Sequence, residues 1–165
     1  MKIAVLSDSH DHLDQLAAAL AAVRDSPAET VVFCGDFCAP FSLAALAEGF
    51  PGPIHAVFGN NDGDRMAMLR LAAQHPHVTL HGEIARLDLG GRRVAITHYT
   101  DLGHDLAASG NYDVVLCGHT HQFEQALVGS RPALLVNPGE VMGRLGKPSW
   151  ALVDIATLAV EHSRL

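Results

Sequence analysis

Long apolar runs are missing from this sequence. No window approaches the ~20 consecutive apolar residues of a membrane span, so no transmembrane helix is expected. The opening run Met1 to Leu6 meets the polar pair Ser7-Asp8 too soon for a secretory signal. Cysteine is scarce as well. Cys34, Cys38 and Cys117 form no Cys-x-x-Cys pair, and their odd number offers no disulfide framework. Cys34 and Cys117 each end an apolar run, where a free thiol acts as a small hydrophobe. That usage points to a reducing, cytoplasmic setting. Positive charge is short too: 11 Lys and Arg stand against 18 Asp and Glu, a net charge of −7. The balance speaks against a surface that coats polymeric nucleic acid or a basic membrane-binding face. It leaves room for a phosphodiester substrate if metal cations supply the local positive charge. No linker, repeat or low-complexity tract interrupts the chain, and its 165 residues read as one domain, 1–165.

What is present is a regular alternation. Ile3-Ala4-Val5-Leu6, Thr30 to Cys34 and Ile54 to Phe58 are short apolar runs without polar alternation, as expected for strands covered on both faces. Each is followed by a polar loop and then by helical periodicity. One helix runs from Leu13 through Val23 with Asp11 as its expected N-cap, a second from Ser42 to Glu48, and a third from Asp64 to Gln74. Strand, loop and helix in repetition predict parallel strands joined by right-handed crossovers. Function in such sheets gathers beyond the carboxyl ends of the strands. The second half reads differently. Ile84 to Leu89 and Val94 to Ile96 flank the hairpin signal Gly90-Gly91. A weaker helix covers Leu102 to Ser109. Further strands are expected at Val114–Cys117, Phe123–Val128, Ala133–Val136, Trp150–Ile155 and Leu158–Glu161, in an antiparallel arrangement. The whole predicts an α/β fold of two packed sheets with helices outside.

The composition's anomaly is eleven histidines, several in short polar loops. Gly118-His119-Thr120-His121 follows an apolar strand directly. An isolated His-x-His is more often a polar loop than a ligand pair. The other strand ends change that balance. Asp8 and His10 follow the first strand, Asp36 the second and Asn60 the third; His98 follows Val94–Ile96, and His119 and His121 follow Val114–Cys117. Each set has a plainer reading alone: helix caps, turns, or a hydrogen-bonded buried histidine. Their coincidence at five strand ends favours one site. Two divalent ions about 3.5–4 Å apart need such a set of nitrogen and oxygen donors, with a carboxylate suited to bridge them. Mixed imidazole and carboxylate ligands suit Mn, Fe, Ni, Co or Zn.

These motifs together resemble the calcineurin-like metallophosphoesterase superfamily. They are Asp8-Ser9-His10, Gly35-Asp36, Gly59-Asn60-Asn61-Asp62, His98 and Gly118-His119-Thr120-His121. The small size and the late Asn137-Pro138-Gly139 are similar to its compact bacterial and archaeal phosphodiesterase branch. The resemblance implies a four-layer α/β/β/α sandwich with two mixed sheets flanked by helices. It implies two divalent transition-metal ions, manganese ahead of nickel, iron, cobalt or zinc. It assigns Asp8, His10 and His121 to one ion, Asn60, His98 and His119 to the other, and Asp36 to the bridge. Asp36, Asn60 and His98 would then act in catalysis through the metals, with no side-chain nucleophile. The implied reaction is hydrolysis of a small phosphate ester, most simply a diester, by a metal-held hydroxide. Phosphomonoesters or nucleotides are the alternative substrates. The fold also serves as a protein-interaction scaffold in a retromer subunit, and a homo-oligomer is compatible with it.

Three departures from the branch are visible. Asn61 stands where many members have a proton-donating His, leaving Asp62 without that partner; Asn61 is a candidate for substrate contact instead. Tyr99 follows His98 where Gly is usual and is expected to narrow the site. Glu140 follows Asn137-Pro138-Gly139 where Ser is common, and would repel an anionic substrate if it faced the pocket. Arg144 and Lys147, in a Gly-rich loop, are candidates to meet a phosphate, with a solvent-facing position as the plainer expectation. His12 and His104 lie near motif loops, and His55 reads as a packing residue.

Overall fold

The computed structural model describes residues 1–165. Eleven strands and four helices follow one another along the chain. The first half holds β1 (Lys2–Leu6), α1 (Leu13–Asp25), β2 (Thr30–Phe33), α2 (Pro40–Gly49), β3 (Ile54–Ala56), α3 (Arg65–Ala72) and β4 (Val78–Leu80). The second holds β5 (Ile84–Leu89), β6 (Arg92–Thr97), α4 (Thr100–Ala108), β7 (Val114–Leu116), β8 (Phe123–Val128), β9 (Ala133–Pro138), β10 (Ser149–Asp154) and β11 (Val160–Arg164).

One sheet has the order β11-β10-β1-β2-β3-β4 and the other β5-β6-β7-β9-β8. Side chains alternate across each strand, and that alternation builds three apolar layers. Ala4 and Leu6 of β1 turn outward with Val31 and Phe33, meeting Leu16 and Leu20 of α1, Leu43 and Leu46 of α2 and Met68 of α3. Ile3 and Val5 turn inward with Val32, meeting Val94, Ile96, Val114 and Leu116 of the second sheet. Ala95, Val115 and Leu135 face outward on that second sheet and are covered by Ala107 of α4. The result is the expected α/β/β/α sandwich. The continuous apolar runs follow from it, because each of these strands is buried on both faces.

The β1, β2, β3 and β4 strands pair in parallel. The second half is not purely antiparallel, as its hairpin signals had indicated. β6 pairs with β7 in parallel, and β7 with β9, while β5 and β8 are antiparallel edges. The α4 crossover returns the chain to the same end of the sheet, which forces β6 and β7 to run the same way. β10 and β11 leave that sheet altogether, and β10 inserts antiparallel beside β1. The strand β4 was not anticipated, since three residues carry no readable period. α2 begins at Pro40, a residue suited to a first helical turn. The N-cap of α1 is His12, not Asp11: the His12 ring accepts from the Gln15 backbone N–H at 3.4 Å. Asp11 serves the next helix instead. Its carboxylate accepts from the Ala39 N–H and the Ser42 hydroxyl at 2.9 and 2.7 Å, tying the start of α2 to the β1 loop. No helix is long and apolar enough to cross a membrane. All three cysteines are free.

Candidate metal centre

Five loops meet at the carboxyl ends of β1, β2, β3, β6 and β7. The β1 and β2 loops are zipped together by backbone bonds from Asp8 N to Gly35 O, His10 N to Asp36 O and Asp11 N to Phe37 O, all 3.0–3.1 Å. Two glycines allow the side chains to approach. A Cβ on Gly59 would collide with the Asp36 carboxylate, and one on Gly118 would collide with Ser7 Oγ and Asp8 Oδ2. The backbone is also bent to purpose. Asp8, His10, Asp36, His119 and His121 all adopt left-handed conformations, with φ between 43 and 75°. Such conformations cost roughly 1–3 kcal/mol each at non-glycine residues and collect at functional sites. Here they turn five side chains toward one volume.

All seven sequence-selected donors come together. Asp8, His10 and His121 place ligand atoms within 4.8 Å of one another, and so do Asp8, Asp36 and His98. Asp8 is common to both sets, and Asp36 Oδ2 also reaches the first, 3.5 Å from His10 Nε2 and 3.4 Å from His98 Nε2. His121 Nε2 lies 3.4 Å from Asp8 Oδ1. Around His98 Nε2 gather Asn60 Oδ1 at 3.0 Å and His119 Nδ1 at 3.2 Å. The two histidines of the His119-Thr120-His121 turn therefore face different partners: His121 Nε2 meets Asp8, whereas His119 Nδ1 meets His98.

The fit to a cation can be tested on hydrogen bonding. His98 Nδ1 lies 2.8 Å from the Cys34 carbonyl, which only accepts, so Nδ1 carries a proton. In the neutral ring Nε2 is then a lone pair facing the Asn60 and Asp36 oxygens. Asp8 Oδ1 and His10 Nε2 are buried with no hydrogen-bond partner. Buried lone pairs aimed at one another are costly unless a cation lies among them. The residues present fit a dinuclear metal group.

The electrostatics point the same way. Burial works against ionised Asp36, but the His98 and Asn61 hydrogen bonds outweigh it and hold its carboxyl well below the usual range. Burial also opposes charge on His98, yet Asp36 and Asp8 raise its affinity for a proton on balance. His10 is raised by its contact with Asp8 against the effect of burial. Cys38 Sγ lies 3.4 Å from His10 Nδ1. Burial pushes this thiol up to about 12, so it remains a neutral neighbour and no thiolate enters the donor set.

Several residues act differently from their sequence reading. Asp62 is not left without partners: it accepts from the backbone N–H groups of Gly59, Cys38 and Asp36 at 2.7, 2.8 and 3.1 Å, joining the β2 and β3 loops. Asn61 is anchored on Asp36 by its backbone and side-chain nitrogens, both at 2.8 Å, and stays exposed at the mouth. Tyr99 packs edge-on to His98 and His119, with centroids 5.3 Å from each. Asn137 donates to Gly118 O at 2.7 Å and to Thr120 Oγ1 at 3.0 Å, which explains the late Asn-Pro-Gly as a brace for the His119–His121 turn. Glu140 does not face substrate. It is fully buried behind His121, with Oε2 2.6 Å from His121 Nδ1. Its Oε1 accepts from the Leu145 and Gly146 N–H groups. An acid beside Asn-Pro-Gly was readable as unusual, but only the fold shows which way it turns.

Of the remaining residues, His104 pairs with Glu124 at 2.9 Å. His55 is more than packing, because its Nδ1 lies 3.0 Å from His81 Nε2. A cavity of about 680 Å³ adjoins His10 and is lined by His12, Asp14, Met142 and Arg144. A second, of about 460 Å³, adjoins His121 and is lined by Lys147.

Comparison with known proteins agrees with this fold. The model of the calcineurin-like phosphoesterase superfamily domain matches residues 1–158. A curated phosphodiesterase of Methanocaldococcus jannaschii is 34% identical over 163 residues, covering 93% of each chain. A solved structure described as a novel archaeal phosphodiesterase superposes with a TM-score of 0.90 at 31% identity, covering both chains completely. Yfce, a phosphoesterase from E. coli, shares the fold with a TM-score of 0.69 at 20% identity, covering 99% of each chain. The matched family model spans every motif of the site, and the chain belongs to the calcineurin-like phosphoesterase superfamily.

Proposed function

We propose that this protein is a metal-dependent phosphodiesterase acting on small phosphate diesters. The observation that carries the reading is the convergence of seven donors: Asp8 joins His10 and His121 in one cluster and Asp36 and His98 in another, and Asn60 and His119 close on His98. The 34% identical relative named as a phosphodiesterase supports the diester class. Asp8, His10 and His121 would hold one ion, Asn60, His98 and His119 the other, with Asp36 between them. When bound, two such ions supply Lewis acidity toward phosphate oxygens and an activated water. Manganese is the proposed native metal, and nickel, iron, cobalt and zinc suit the same donors.

The chain's own residues prepare that chemistry. Cys34 O fixes the His98 ring, and Glu140 fixes His121, so both imidazoles present Nε2 inward. Asn61 holds Asp36 in one orientation and lies exposed beside it, where it can touch a bound ester. Tyr99 narrows the mouth from the His119 side. No ionisable side chain occupies position 61 to donate a proton, a contribution worth roughly 10²–10⁴-fold in rate. Esters with good leaving groups are therefore the preferred substrates.

The test is hydrolysis of bis(p-nitrophenyl) phosphate by chain loaded with Mn²⁺ or Ni²⁺. Wild type should turn it over faster than p-nitrophenyl phosphate, and Asp36→Ala should lose the activity. No turnover, or full activity in Asp36→Ala, would end the proposal. A scaffold without catalysis shares the fold, but the undamaged donor set weighs against it.

A further inference from the structure

The 142–147 loop separates the two cavities beside the metal centre. The one against His10 contains Asp14 and Asp11, which disfavour an anion. The one against His121 has no carboxylate in its lining. Its walls include Lys147, Arg164, His162, Gln122 and Phe123. In a chain of net charge −7 this is unusual. The ion pairs of the protein are made by other basic residues, Arg65, Arg93 and Arg131 among them, and Lys147 and Arg164 make none.

The acidic side chains nearest in sequence are turned away. Glu124 of β8 faces the opposite side and pairs with His104. Glu161 of β11 lines a separate cavity with Lys2. Glu140 lies behind Gly146 with its oxygens committed to His121 and the loop N–H groups. The floor is an aromatic pair: Phe123 and His162 stack at 3.9 Å with planes 9° apart. His162 Nε2 is buried without a hydrogen-bond partner. Burial, and then Arg164, lower this imidazole's affinity for a proton. Lys147 and Arg164, free of ion pairs and with no acidic side chain in the lining, form a receptor for an oxyanion, and His162 packed on Phe123 closes its floor. The volume of about 460 Å³ exceeds a lone phosphate and admits part of the group that bears it.

We infer that the cavity formed by Lys147, Arg164 and His162 is a phosphate-binding subsite, and that it takes a second phosphate carried on one arm of the substrate diester. This rests on the phosphodiesterase reading and narrows its substrate class to diesters bearing a further phosphate. Free inorganic phosphate has the same chemistry and is the alternative source.

Three substrates separate the possibilities: bis(p-nitrophenyl) phosphate, adenylyl-adenosine, and adenylyl-adenosine carrying a 5′-phosphate. The Mn²⁺-loaded wild type should show a KM for the phosphorylated dinucleotide about tenfold below that for the unphosphorylated one. The preference should collapse in Lys147→Ala and in Arg164→Ala. Absence of any preference, or equal loss on both dinucleotides, overturns the assignment to a substrate arm. Calorimetric titration of inorganic phosphate into the chelator-treated full chain identifies the other source. Binding there that is lost in the Lys147→Ala, Arg164→Ala double variant, without a dinucleotide preference, assigns the subsite to free phosphate. No binding and no preference overturns the subsite itself. Failure to hydrolyse bis(p-nitrophenyl) phosphate would instead count against the phosphodiesterase reading, and the phosphate titration would still decide the subsite.

Discussion

Replacing Glu140 with Gln separates the contribution of one buried carboxylate to the proposed metal centre. Glu140 Oε2 meets His121 Nδ1 at 2.6 Å, and Oε1 takes two backbone N–H groups of the 142–147 loop. All of its polar atoms are thus used, and none is exposed. A His that offers Nε2 to a metal must carry its proton on Nδ1, and Glu140 is the acceptor for that proton. Gln fits the same volume but not the same pattern. If its oxygen faces His121, its amide donors face the Leu145 and Gly146 donors. If it turns over, its donors face His121 Nδ1–H. One arrangement or the other leaves buried groups unmatched, at about 1–3 kcal/mol. Loss of a carboxylate behind a ligating His costs roughly 10–100-fold in metal affinity, equivalent to about 1.4–2.8 kcal/mol. The loss should fall on the proposed site of Asp8, His10 and His121. The proposed site of Asn60, His98 and His119 does not touch Glu140 and should change little. Competition of Mn²⁺ against a chromophoric chelator resolves the two affinities, with circular dichroism confirming that the variant is folded. Equal weakening of both sites, or no change in either, would refute the reasoning.

Other perturbations reach different parts of the argument. His119→Ala and His121→Ala should each deplete a different metal position in anomalous scattering maps; depletion of the same position in both would contradict the division between His121 with Asp8 and His119 with His98. Gly59→Ala should reduce both stability and metal content, because its Cβ has no room beside the Asp36 carboxylate and overpacking costs about 1–3 kcal/mol; a melting temperature and metal content equal to wild type would show that the loop yields freely. Arg93 holds the Asp113 carboxyl down at about 2. A depressed carboxyl stabilises the fold above its unfolded value of ~3.9, and that stability is lost as pH falls through the folded value. Asp113→Asn should therefore lower the melting temperature at pH 7, and the gap should narrow below pH ~4. A gap that widens in acid would reverse the sign of the argument.

The strand–loop–helix alternation and the motif residues were legible because they are local. Val31-Val32-Phe33 needs no distant partner to be recognised as a buried strand, and a His-x-His after a strand end is visible in four residues. The parallel pairing of β6 with β7 was not legible, because hairpin signals dominate that region and the α4 pattern is weak. β4 was missed for want of length. Asp11 was read as a cap for the helix beside it, and its actual partners lie 28 and 31 residues away.

The sequence by itself determined which donor atoms exist, in what order, and that each set follows a strand. Those are properties of residue type and spacing. The tertiary structure decided how they are shared. His119 and His121 are separated by one residue, yet their left-handed backbones send them to different partners. Glu140 became a support for His121 instead of a barrier to substrate, and Lys147 and Arg164 came together from β10's approach loop and β11. Spacing along a chain limits which groups are neighbours only over a few residues. Beyond that, the direction of each side chain is set by packing the two sheets against each other, and that packing places these groups around one centre.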